Sequence, residues 1–167
     1  SMLTNLSTWA AHPRLGFTAS TKSAYRTFLQ SNDLSAWQGW TNAANSAVAS
    51  TNFLHPSGGT WDLGTWGLYV GLVSWVWSLT DHANLLAGDP MLALDNLATY
   101  YRTNLDDSDD LVSGHAAKKE YLAIAYGFDH LYSQLSTAQK TNVLGCISAT
   151  CRYRMLAGWW YYANTRD

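Results

Sequence analysis

The sequence predicts an all-α fold, and three observations carry that prediction. Apolar residues recur at helical spacing along most of the chain, no Val/Ile/Thr alternation runs for more than a few residues, and helix-start signals recur between the apolar stretches. The 167 residues are 47% hydrophobic and only 13% charged, which is enough for one substantial core and too apolar for disorder. Ser1-Met2 reads as a cloning scar, leaving 3–167 as one helical domain.

The elements follow in order. Thr18 to Ser20 offer caps for a short first helix through about residue 30, with Ala24, Tyr25, Phe28 and Leu29 on one face. Asn32 or Asp33 starts a second helix that runs through about Ser50, and TNFLHPSGGT (51–60) is a loop by its proline and paired glycines. The third helix spans roughly Leu68 to Leu79. Asp89-Pro90 opens the fourth, an N-cap acid followed by proline at the first helical position, with Leu94, Leu97, Ala98, Tyr101 and Leu105 as its apolar stripe. An acidic turn covers 105–114, and a fifth helix runs from about His115 to Tyr132. Ser136 to Gln139 is a capping box, and the sixth helix behind it carries Val143, Leu144, Ile147, Cys151 and Met155, ending near Trp159.

These six helices are of two kinds. The fourth and sixth are amphipathic, whereas the third (LYVGLVSWVWSL) and most of the fifth (YLAIAYGF) are apolar nearly all round. A helix apolar on every face needs cover on every face, so helical hairpins in two layers are expected, inner helices sheathed by outer ones. Trp75 and Trp77, inside the third helix, are expected in the core.

Several function classes fall away on composition. A net charge of -2 provides no field for nucleic acid or an anionic membrane. The apolar run from Trp66 to Leu79 is shorter than a bilayer span and is broken by Gly67, Gly71 and Ser74. Cys146 and Cys151 are too few for a disulfide framework and read as small buried hydrophobes. Neither a metal nor a cofactor is expected. The five histidines include no i, i+4 pair, and the aspartates of 106–110 lack the glycine of a calcium loop, Leu111 standing in its place.

What remains is aromatic: nine Trp and ten Tyr against four Phe. Such rings offer apolar faces to the C–H faces of sugars while their N–H and O–H groups stay hydrogen-bonded. Trp61, Trp159, Trp160 and Tyr162 lie near expected helix ends and are the candidate sugar-facing set, with Asn164 and Arg166 placed to bind hydroxyls or a carboxylate. Asp62 and Asp129 are acids among apolar neighbours, and His82 sits in an inter-helix connection where sites tend to lie.

His12-Pro13-Arg14-Leu15-Gly16-Phe17 resembles the "HPRL-x-F" entry of the heparinase II/III-like and alginate-lyase-like polysaccharide lyases. Leu86 to Pro90 (LAGDP) is similar to the start of an outer helix in their α/α toroid. Leu122 to Tyr132 (LAIAYGFDHLY), with Leu135 to Lys140 (LSTAQK), is similar to one of their helical hairpins. The resemblance implies a partial (α/α) toroid, an N-terminal portion of a secreted or periplasmic enzyme, and β-elimination on an acidic, uronate-containing polysaccharide or oligosaccharide. In that chemistry a His or Tyr takes the C5 proton, a Tyr protonates the leaving oxygen, and a donor steadies the enolate-like charge. The family's Asn-Asn or Asn-His pair does not occur in this chain, so the catalytic residues are expected beyond Asp167. This chain would supply scaffold and one aromatic wall of a groove, with self-association through uncovered inner helices as a further expectation. Two alternatives stand beside it: a carbohydrate-binding or interaction module without chemistry, and a hydrolase or epimerase on a similar α/α barrel with Asp62 or Asp129 in acid/base work.

Overall fold

The described residues of the computed structural model are 13, 15–51, 53–54, 60–81, 88–103 and 115–164, the side chains of 60–64, 115–120 and 153–164 lying outside the description. All regular structure among them is helical: α1 (Lys22–Asn32), α2 (Leu34–Ala49), α3 (Thr60–Leu79), α4 (Pro90–Thr103), α5 (His115–Leu131) and α6 (Thr137–Asn164).

Local chemistry explains most of the starts. Asp33 caps α2 by accepting from the Ala36 N–H at 3.1 Å. Asp89 accepts from the Leu92 N–H at 3.0 Å, and Pro90 begins α4 at a position where a missing amide costs nothing. At α6 the expected box is closed in both directions: Ser136 N–H donates to Gln139 Oε1 at 3.0 Å and Gln139 N–H to Ser136 Oγ at 3.2 Å. At the α1 start Thr18 acts as expected: its Oγ1 accepts from the Thr21 N–H at 3.2 Å, Thr21 Oγ1 accepts from the Thr18 N–H at 2.9 Å, and the Thr18 carbonyl accepts from the Thr21 and Lys22 amides.

Three boundaries and faces need correction. α3 begins at Thr60 rather than near Leu68, so Gly64 and Gly67 are helical. Tertiary anchoring overrides their poor propensity: Trp66 is 1% exposed and its Nε1 donates to the Phe53 carbonyl at 2.9 Å. In α1 only Leu29 is buried; Tyr25 is half-buried, and Ala24 and Phe28 face outward. In α6 the buried row is Val143, Cys146 and Thr150, with Leu144 and Cys151 exposed. That i, i+3, i+7 row is the face turned to α4, and Leu144 sits one residue, about 100°, away from it. The two cysteines therefore differ: both are free, Cys146 is buried and Cys151 is exposed.

The helices pack in layers. α3 and α5 form the most extensive pair and make the inner layer, α4 lies against both, α2 covers α3, and α6 packs on α4. Val70, Val73, Leu94, Leu97, Ile124 and Val143 meet in the core between them. Close approach relies on small residues. A Cβ at Gly71 would lie 3.3 Å from the Ala123 Cα, and one at Gly127 would lie 2.8 Å from a Leu94 methyl. The α4–α6 seam is fixed by Asn142, whose amide donates to Asp95 Oδ1 and Thr99 Oγ1, each at 2.8 Å, and accepts from Arg102 at 2.9 Å. At the far end Asp81, in a left-handed turn with φ of 53°, ties α3 to α1 through ion pairs with Lys22 and Arg26. Those cations, the Lys22 hydrogen bond foremost, hold its carboxyl below the ordinary aspartate range.

Among the described residues the sheath around the inner pair is one-sided. Leu68 of α3 is 49% exposed and Leu122 of α5 is 59% exposed. None of the helices among the described residues is long and apolar enough to cross a membrane.

Candidate aromatic cleft on the inner helices

The uncovered side of the inner pair is a cleft of about 480 Å³. α3 contributes Gly67, Leu68, Gly71, Leu72 and Trp75, residues that recur with helical period on one face. α5 contributes Leu122, Ala123 and Tyr126, α1 contributes Tyr25, α2 contributes Trp40, and Gly16 closes one end. Gly67 and Gly71 leave the floor without side chains.

The aromatic walls are mutually packed. Trp40 meets Trp75 edge to face at 4.9 Å and 87°, and Tyr25 meets Trp75 at 6.4 Å and 76°. Such edge-on arrangements match the ring quadrupoles and hold the indoles in place. Trp75 is half-buried, so the expectation that it is core holds for one side of its ring only, the other facing the cleft. Trp77 is likewise half-buried against the core.

Behind the end wall sits a polar pair in an otherwise apolar stretch. Asp129 is 6% exposed and its Oδ2 accepts from the Leu15 N–H at 2.7 Å, a contact between residues 114 apart in sequence. His130 is 4% exposed, packs on Phe17 at 4.8 Å and stacks with Tyr126 at 5.8 Å. Neither of its ring nitrogens reaches a hydrogen-bond partner among the described residues. Burial pushes its pKa down to about 4, against the opposing pull of the Asp129 charge and the Leu15 backbone, so the ring is neutral at pH 7. Asp129 thus stands away from the cleft lining, holding a backbone amide.

The sequence-predicted candidates are distributed as follows. Trp61 and Asp62 belong to the first turn of α3, and Trp159, Trp160, Tyr162 and Asn164 to the last turns of α6, with their side chains outside the description. α6 continues past Trp159 to Asn164, so that aromatic run lies near the helix end as expected, within its last turns. His82 and Arg166 lie outside the described residues, as do the acidic segment 104–114 and His12. Tyr25, Trp40, Tyr126 and Gly16 line the cleft but are not among the site candidates that the sequence offers. Their pointer was indirect, since Gly16 and Tyr126 both fall inside the motifs of the family resemblance.

Chemically, the described residues of the lining offer flat ring faces, aliphatic side chains and two tyrosine hydroxyls, with no carboxylate, imidazole or cation among those residues. No group of three or more His, Cys, Asp or Glu among the described residues could hold a metal ion. Compared with models of protein families, with curated proteins and with solved structures, the chain matches none.

Proposed function

We propose that this chain is the N-terminal portion of an (α/α)-toroid-like, carbohydrate-active protein, by resemblance a polysaccharide lyase, in which it supplies scaffold and an aromatic wall of the substrate groove. The observation that supports this reading is the cleft on the inner pair, where Trp40, Trp75, Tyr25 and Tyr126 surround a glycine floor. Aromatic faces of this kind stack on the C–H faces of a pyranose. The two-layer packing, with α3 and α5 inside, is the arrangement that toroids repeat around their axis. On this reading the protein acts outside the cytoplasm on an acidic polysaccharide, and its acid/base residues lie elsewhere than in the described lining.

A second reading, a carbohydrate-binding module without chemistry, draws on the same lining, which among the described residues holds no carboxylate, imidazole or cation. One pair of experiments separates the two. Incubation with polyuronates yields the ultraviolet absorbance of an unsaturated uronate if the protein is a lyase, and none if it only binds. Titration with the same polymers, and with neutral glucans and mannans, then reads binding alone. Trp40→Ala with Trp75→Ala lowers affinity by about tenfold or more if the cleft stacks sugar. Unchanged affinity in that double variant removes the cleft from either reading.

A further inference from the structure

Leu15, Gly16 and Phe17 precede α1 and belong to no helix, yet each makes its own contact with the inner pair. The Leu15 amide donates to Asp129 Oδ2 of α5. Gly16, at a φ of +80°, lies so close to α3 that an added Cβ would sit 3.3 Å from Trp75 Nε1. The Phe17 ring is 4% exposed and sits among His130, Trp75 and Tyr25 at 4.8, 6.2 and 6.1 Å. Gly16 at the same time lines the cleft.

A carboxylate and an imidazole side by side in a buried apolar helix cost stability unless something else uses them. Aliphatic residues at 129 and 130 would continue α5 without that cost. Among the contacts of the Asp129 carboxylate is an amide from the far end of the chain, and the His130 ring is a surface for Phe17 and Tyr126.

We propose that Asp129 is a positioning residue that latches the Leu15–Phe17 strap onto the inner helix pair, so that docking of the strap builds the end wall of the aromatic cleft. The geometry makes one cooperative unit of three contacts. The carboxylate fixes the Leu15 backbone, the left-handed Gly16 brings the chain against the Trp75 indole, and Phe17 fills the gap over His130. Asp129 and Gly16 lie on different segments, so disturbing either undocks the same strap. The inference rests on the reading of the cleft as a binding site only for its purpose; the latch itself is tested without any ligand.

The test uses the full chain, labelled with nitrogen-15, and reads two probes: hydrogen exchange at the Leu15 amide and the resonance of the Trp75 indole N–H, assigned with Trp75→Phe. Asp129→Ala speeds exchange at Leu15 by about tenfold or more and shifts the Trp75 indole. Gly16→Ala, which leaves the carboxylate untouched, produces the same indole shift and the same loss of protection. Asp129→Asn retains an acceptor oxygen and preserves most of both. Amides of Leu97 and Val143, in the α4–α6 seam, keep their wild-type protection in all three variants. An unmoved Trp75 indole and a protected Leu15 amide in Gly16→Ala overturn the proposal, as does a loss of protection at Leu97 and Val143 equal to that at Leu15. If Asp129→Ala does not fold, Asp129→Leu, which keeps the side-chain bulk without an acceptor, is read in its place, and a protected Leu15 amide there overturns the proposal. Oligosaccharide affinity is not among these readouts, so failure of the glycan reading and failure of the latch are separate results.

Discussion

The two sides of the α3–α5 pair are made of the same residue types and end in opposite environments. On the side facing α4, Val70, Val73 and Ile124 are buried with Leu94 and Leu97, and Gly127 lets the helices approach until no methyl could be added. On the other side Leu68 and Leu122 stand in the open beside Trp75 and Tyr126. Composition says that both sides are apolar. Only the presence of a neighbouring helix makes one of them core, and the apolar residues of the other are available to a ligand or a further element.

That contrast can be broken most sharply at Leu94, which is fully buried. Leu94→Ala is expected to cost about 2–5 kcal/mol in denaturant unfolding, through lost transfer energy plus a cavity that the close α4–α5 contact cannot collapse. Acid should reveal the next largest effect. His130 has a folded pKa of about 4, below the ordinary 6.5, so the unfolded chain takes up the proton first. The neutral ring's contribution is therefore complete above pH 6.5 and is lost as pH falls towards 4, by up to about 3 kcal/mol. Melting curves across that range should show a slope that His130→Phe abolishes. Gly127→Ala gains helix propensity but drives a Cβ into Leu94, and a net loss of about 1–2 kcal/mol is expected in the same unfolding assay. On the open side Leu122→Ala should change stability by less than about 0.5 kcal/mol, and a loss as large as that of Leu94→Ala would show the cleft to be a core after all.

Much of this was legible before any coordinates. Caps at Asp33, Asp89 and Ser136 are local hydrogen-bond devices, and short sequence windows contain all their parts. The stripe Leu94, Leu97, Ala98 and Tyr101 follows from period alone, and each of these residues is buried. The start of α3 was not legible, because Trp66 is anchored by the carbonyl of Phe53, thirteen residues away, against the local vote of two glycines. The face of α6 was misjudged for a related reason. Leu144 outranks Cys146 and Thr150 in hydrophobicity, but the position of α4 decides which row is inside. The cleft was least legible of all, since it draws single residues from α1, α2 and the strap, and no window of sequence holds them together. Asp129 and Leu15 lie 114 residues apart, and their being partners is a fact of the tertiary fold.

The bond between Leu15 and Asp129 also sets an order of events during synthesis. At roughly 5–20 residues per second, a ribosome needs roughly 6–23 s to add the 114 residues that separate donor from acceptor. Phe17 is made long before the His130 ring it rests on, and α2 and α3, once made, can pair before α5 is complete. A segment made early is thus secured late, its docking waiting on the completion of α5.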